Sequence, residues 1–299
     1  MDRIAIHICS KDRATEVALL LESLRNQTYK KFDVYILDDG SSVPLQHFYF
    51  ITYIMNRLKI EGHDIKLIRN NTASGVSKAR QQLVDYTMKN TKHNFICRID
   101  DDSICKLDML EKLMNGIDAG YDLIGCSVFP YVGGHTKREI SFVKPIIGEC
   151  RLNDKGELII NQDDCGYEYI EEEILPTHHF RSSCLYKREL HEAGVDYSNR
   201  LSKNGFREEQ IFSFKAILKG FKLGVHTGAI NYHLITPSGG ERGTMNMTKF
   251  NQDVFEETVK KMYADHGDFL HDYNVKHNLI EKEYTALELT KITNLVSKQ

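Results

Sequence analysis

The 299 residues carry 39 Lys and Arg against 42 Asp and Glu, a formal net charge of −3, with 41% hydrophobic and 27% charged residues. That balance excludes wholesale disorder and gives no global electrostatic reason for nucleic acid or an anionic membrane to be the main partner. No apolar run reaches bilayer length, and the mixed opening stretch Met1–Cys9 is too short for a signal peptide, so a soluble, cytoplasmic protein is expected.

Ile4 to Cys9 reads as a short strand, followed by the polar turn Ser10-Lys11-Asp12-Arg13 and a helix from Ala14 to Gln27 with Val17, Leu20, Leu21 and Leu24 at helical spacing. Phe32 to Leu37 is a second strand ending in Asp38-Asp39-Gly40-Ser41-Ser42. A helix is expected over Leu45 to Leu58, a strand over Ile65 to Arg69, and a helix from Val76 to Met88 after the loop Asn70 to Gly75. Phe95 to Ile99 forms a fourth strand that meets three consecutive acids, Asp100-Asp101-Asp102. Helix Leu107 to Ala119 and strand Tyr121 to Val128 complete a regular β/α alternation, which implies a mostly parallel sheet covered on both faces.

After Pro130 the alternation stops, and short β-like runs at Ile140 to Val143 and Glu157 to Ile160 point to hairpins or an ordered insertion. Leu185 to Ala193 and Phe206 to Leu218 read as helices, with Gly220 as the cap of the second. Phe221 to Val225 and Ala229 to His233 read as two short strands. A Gly-rich loop, Thr236 to Gly243, precedes helices around Asn251 to Asp265 and Asn278 to Leu295. Seven scattered cysteines (Cys9, Cys97, Cys105, Cys126, Cys150, Cys165, Cys184), odd in number and without a C-x-x-C pair, read as reduced core thiols.

The acid triplet organises this chain. Asp is a poor strand former and adjacent like charges repel, so the triplet belongs just past a buried strand's carboxyl end, where open α/β sheets bind ligands. Clustered carboxylates there are hard oxygen donors, suited to Mg²⁺ or Mn²⁺ holding a diphosphate rather than to zinc. Taken alone, each of these acidic turns reads equally as a solvated turn or helix start.

Together the motifs resemble the family 2 glycosyltransferases of the GT-A fold. The resemblance rests on Ser10-Lys11-Asp12-Arg13, Ser23-Leu24-Arg25-Asn26-Gln27, Asp38-Asp39-Gly40-Ser41, Gly75-Val76-Ser77-Lys78-Ala79-Arg80 and Asp100-Asp101-Asp102, in family order. Glu208-Glu209, Gly220-Phe221 and His233 follow, so that it covers about residues 4 to 235. It implies a Rossmann-like GT-A domain over 1–235, with a nucleotide-binding half at 1–128 and an acceptor-binding half at 129–235. Beyond the reach of that resemblance, the Gly-rich composition of Thr236 to Gly243 reads as a mobile lid loop, so that 236–299 is expected to hold lid and helical extension.

The same resemblance implies a hexosyltransferase-type enzyme moving a sugar from a nucleotide-sugar, UDP-linked, onto a hydroxyl of a glycan or other acceptor with inversion. Asp39 would accept from uracil or ribose, with Asp12 and Arg13 flanking the base. Arg80 would meet the diphosphate or the aspartates. Asp100 and Asp102 would bridge ribose and a divalent cation, Asp101 lying between them on the donor side and His233 completing the metal shell. Glu209 is the candidate general base and Glu208 its neighbour; the family has Asp there, so the Glu is a departure. Arg242 in the loop would cover the diphosphate, and His178-His179 would line the acceptor side. Two other readings compete: a nucleotidyltransferase, which predicts a Gly-rich phosphate loop that Ser10 to Thr15 lacks, and a non-catalytic binding module.

Overall fold

The computed structural model describes residues 3–132, 136–138, 146–153, 155–160, 167–169, 171–241 and 243–279, the side chains of 136–138 and 167–169 excepted. Strand β1 (Ile4–Ser10), helix α1 (Ala14–Arg25), β2 (Phe32–Asp39), α2 (Tyr49–Ile60), β3 (Ile65–Asn70) and α3 (Val76–Asn90) alternate as expected. Then come β4 (Phe95–Asp100), β5 (Ser103–Cys105), α4 (Met109–Asp118) and β6 (Leu123–Pro130). The irregular stretch holds β7 (Thr136–Arg138), β8 (Cys150–Leu152), β9 (Leu158–Ile160), β10 (Tyr167–Tyr169) and β11 (Ile174–Pro176), with β7 paired to β10 and β8 to β9. The chain continues through β12 (Cys184–Lys187), α5 (Glu189–Glu192), α6 (Glu208–Leu218), β13 (Leu223–His233), α7 (Met245–His266) and α8 (Phe269–Lys276).

The main sheet runs β11-β13-β6-β12-β4-β1-β2-β3, with β5 added alongside β13. β1 pairs in parallel with β2 and β4, β2 with β3, and β13 with β6, while β12 lies antiparallel to both β4 and β6. Six of the nine strands therefore point the same way. Alternation along β1 sends Ala5 to one face and Ile4, Ile6 and Ile8 to the other. The first face packs on α3, α6, α7 and α8 through residues such as Leu83, Phe212, Phe255 and Phe269, the second on α1, α2 and α4 through Leu20, Ile51 and Leu113.

Four elements differ from their sequence reading. Residues 184–187 are a strand rather than the start of a helix, because burial of Cys184, Leu185 and Tyr186 between β4 and β6 outweighs their helical spacing. The two strands expected at 221–233 are one, with a shift in register between His226 and Ile230. The helix expected from Leu45 is split: Leu45–His47 forms a single 3-10 turn whose first amide donates to the Asp38 carboxylate, Phe48 is extended, and α2 follows. α8 was not expected, while the strand at Ile140 to Val143 and most of the helix at Asn278 to Leu295 lie outside the described residues, as does Cys165. No helix among the described residues is long and apolar enough to cross a membrane.

Candidate active site

Strand register sets the acids. Ser10 pairs with Asp38 and Cys9 with Asp100, so the carboxyl ends of β1, β2 and β4 finish level with one another. They open into a cavity of about 680 Å³ whose walls include Cys9, Ser10, Lys11, Arg13, Asp39, Arg80, the acid triplet, Glu208, Glu209 and His233. The α3 start and the β4 end thus meet the α6 start and the β13 end at one place, although the first two lie more than a hundred residues from the last two in the chain.

On one side of the triplet, Arg80 Nη2 donates to Asp100 at 2.7 Å. On the other, Arg13 Nη1 donates to Asp101 at 2.7 Å and lies 3.0 Å from Asp102. Burial raises the Asp101 carboxyl to about 6, against the opposing pull of Arg13. β5 turns back from the triplet along the end of β13, with Ser103 opposite His233, and Leu234 N donates to Asp102 O at 2.8 Å. This return brings His233 Nε2 to 3.0 Å from Asp102 Oδ1. The hydrogen bond that the imidazole donates to the Asp102 carboxylate holds it above its ordinary value, outweighing burial.

Glu208 and Glu209 open α6, preceded by Arg207 in the left-handed region at φ 75°. Glu208 is buried, with Oε1 at 3.0 Å from Arg80 Nε and 3.4 Å from Arg98 Nη2. Burial pushes its carboxyl well above the usual range, with Arg98 opposing. Glu209 keeps about a quarter of its side chain exposed and accepts from Arg98 Nη2 at 2.9 Å. Of the two, Glu209 is the one a bound molecule can reach.

Asp39 lines the cavity, yet its carboxylate is occupied by Asn70 Nδ2 and by Ser74 and Gly75 amides at 2.7 to 3.0 Å, fixing the turn that starts α3. Burial works against its charge, but these donors hold it below the ordinary value. Asp12, also left-handed at φ 54°, accepts from Ser42 N and Oγ at 2.6 and 2.7 Å and so pins the turn after β2 rather than facing the cavity. His178 and His179 are fully buried away from the cavity, His178 bridging Cys150 and Asn274. Arg242 lies outside the described residues.

The loop after β13 sits on the first loop: Gly240 N donates to Lys11 O at 2.8 Å, Arg13 Nε to Ser238 O at 3.3 Å and Lys11 Nζ to Glu241 Oε1 at 2.6 Å. Two arginines not singled out from the sequence, Arg181 and Arg207, line the wall near Glu209. A third, Arg98, lies beneath it, and its signal was legible: a guanidinium in the middle of the apolar run Phe95-Ile96-Cys97-Arg98-Ile99 must have a buried partner.

An open, mostly parallel sheet that gathers acids from several strand ends around one cavity defines a GT-A-fold protein, and solved structures agree. The chain matches GalNAc-T7 crystallised with UDP, GalNAc and Mn²⁺ at a TM-score of 0.65 and 13% identity, covering 93% of this chain and 55% of that one. It matches S. aureus TarS 1-349 in complex with UDP-GlcNAc at a TM-score of 0.59 and 15% identity, covering 87% and 66%. The chain thus spans between about half and two thirds of these proteins. Comparison with curated proteins gives no match. The model of glycosyl transferase family 2 matches residues 5–189, and the chain belongs to that family.

Proposed function

We propose that the protein transfers a sugar from a nucleotide-diphosphate sugar, UDP-linked, to an acceptor hydroxyl with inversion at the anomeric carbon, in the presence of Mn²⁺ or Mg²⁺. The observation that carries this reading is the meeting of Asp102 and His233 at 3.0 Å in the same cavity as Glu209. The buried thiols Cys97, Cys105, Cys126 and Cys184 fit a reducing, cytoplasmic setting.

The donor set fits a divalent cation. Asp102 supplies a carboxylate and His233 an imidazole, and the Arg13 guanidinium already held 3.0 Å from Asp102 marks the spot as one that takes positive charge. Among the described residues no three His, Cys, Asp or Glu groups gather for a metal, so most positions would be left to diphosphate oxygens and water, the usual habit of Mg²⁺ and Mn²⁺ with nucleotides. An imidazole ligand favours Mn²⁺. When bound, the cation supplies Lewis-acid neutralisation of the departing diphosphate.

The chain's own residues do the rest. Glu209 takes the proton from the acceptor hydroxyl as its oxygen attacks the anomeric carbon and the nucleoside diphosphate departs, a task one accessible carboxylate in the cavity can perform. Arg80 and Arg13, each paired with an acid, provide forked donors for diphosphate oxygens. Asp39 holds the turn against which the base and ribose lie, and the loop at 236–243 excludes water that would otherwise hydrolyse the donor.

The test is incubation with UDP-glucose, UDP-GlcNAc, UDP-GalNAc and GDP-mannose with Mn²⁺, following free sugar and nucleoside diphosphate by chromatography. Slow, metal-dependent release of UDP from one or more UDP-sugars is expected. Release of pyrophosphate instead, or no turnover of any donor, overturns the reading.

A further inference from the structure

Five ionisable groups cross the floor of the cavity, acids and arginines in turn. Asp100 is joined to Arg80 at 2.7 Å, Arg80 to Glu208 at 3.0 Å, Glu208 to Arg98 at 3.4 Å and Arg98 to Glu209 at 2.9 Å. The chain begins at the end of β4 beside the cation site and ends on α6 at the proposed base. Its fourth member, Arg98, is the least expected. Arg98 is 2% exposed, lies in β4 between β1 and β12, and stacks its guanidinium 5.5 Å from the Phe180 ring centroid and 6.0 Å from that of Tyr197. Burial works against its charge, and the two glutamates hold that charge in place.

Stability does not account for such an arrangement. Desolvating an ion network costs about as much as the pairing returns, and an apolar side chain of similar volume at such a site is usually no less stable. What an apolar residue does not do is fix a carboxylate. Glu209 stands in the first turn of α6 with part of its side chain in the cavity, and without a partner its carboxylate samples several rotamers. Arg98 Nη2 is the hydrogen-bond donor that selects one, and Arg98 is itself held by rings on two sides and by Glu208.

Resting on the reading of Glu209 as the base, we propose that Arg98 is a positioning residue, which aims the Glu209 carboxylate at the acceptor hydroxyl and is kept in register with the donor end of the cavity by Glu208 and Arg80. It touches neither donor nor acceptor, so its whole effect on turnover passes through Glu209.

A double-mutant cycle reads this directly, with kcat, donor KM and the melting temperature measured for each variant. Arg98→Met is expected to lower kcat about 10²-fold, the lower part of the range for a general base, while leaving donor KM within about threefold. In a Glu209→Gln background the same change is expected to cost less than about threefold, because the group it positions is no longer a base. Arg98→Lys, which keeps the charge but not the fork, should recover part of the loss. Equal losses from Arg98→Met with Glu209 and with Gln at that position overturn the proposal, as does a loss that appears in donor KM rather than kcat. If Arg98→Met does not fold, Arg98→Lys in both backgrounds carries the same comparison, and equal losses overturn it equally. Full activity of Glu209→Gln is a separate result, which removes the base assignment itself.

Discussion

At the scale of single residues, the site separates acids that face the cavity from acids that brace its walls. Asp102 belongs to the first group, and Asp102→Ala should abolish metal-dependent binding of UDP, because the cation is what offsets repulsion between diphosphate and triplet. Calorimetry with and without Mn²⁺ checks this; UDP affinity equal in the wild type with and without metal would count against it. Glu209→Gln should leave UDP binding intact and lower turnover by about two to four orders of magnitude. Gln is nearly isosteric, so the melting temperature should barely move. If Glu208→Gln were the more damaging to turnover and Glu209→Gln harmless, the roles of the two would be exchanged. The triplet, Arg80, the Glu208-Glu209 pair and His233 were legible in the sequence as candidates because their motifs stand in one family's order, and the structure brings them to one cavity. The partner of Arg98 was not, since Glu209 lies 111 positions away and nothing in either segment names the other. Nor was the internal use of Asp12, whose carboxylate is taken by Ser42 across a turn.

At the scale of elements, strands with continuous apolar runs were readable and β12 was not: four residues, Cys184–Lys187, support either periodicity, and only the gap between β4 and β6 decides. The loop after β13 was read from composition as a lid, and in the structure it rests on Lys11 and Arg13. Gly239 has φ 69°, and a Cβ on it would stand 2.5 Å from Asp12 O. Gly239→Ala is therefore expected to undock the loop, raising the share of donor lost to hydrolysis by about threefold to tenfold while the core melts as before. Product analysis with and without acceptor reads that share. Hydrogen exchange over 234–245 should slow when UDP and Mn²⁺ are added; unchanged exchange together with normal product ratios in Gly239→Ala would leave the segment a plain connection.

At the scale of the whole molecule, three buried histidines outside the walls of the active-site cavity tie the fold to pH. His7 donates to or accepts from Thr87 Oγ1 at 2.7 Å, His178 lies 2.7 Å from Asn274 Oδ1, and His191 lies 3.2 Å from the Tyr186 hydroxyl. Burial lowers all three, His7 to about 3. At these histidines the unfolded chain takes up protons near pH 6.5 and the folded one does not, so their contribution to stability is complete above that pH and falls as acid is added toward about pH 3. His7 alone should cost about 2 kcal/mol between pH 6.5 and 5, measurable by urea unfolding, and His7→Gln should flatten that slope. A stability that stays level over this interval would show that His7 is protonated in the fold. The sheet that carries the site has a further consequence for how the protein is made. β12 fills the space between β4 and β6, though it is encoded some fifty residues after the second of them. A nascent chain leaving the ribosome therefore exposes two bare strand edges until residue 187 has emerged, and ribosome stalling or slow translation over residues 131–183 would prolong the interval in which those edges recruit chaperones or one another.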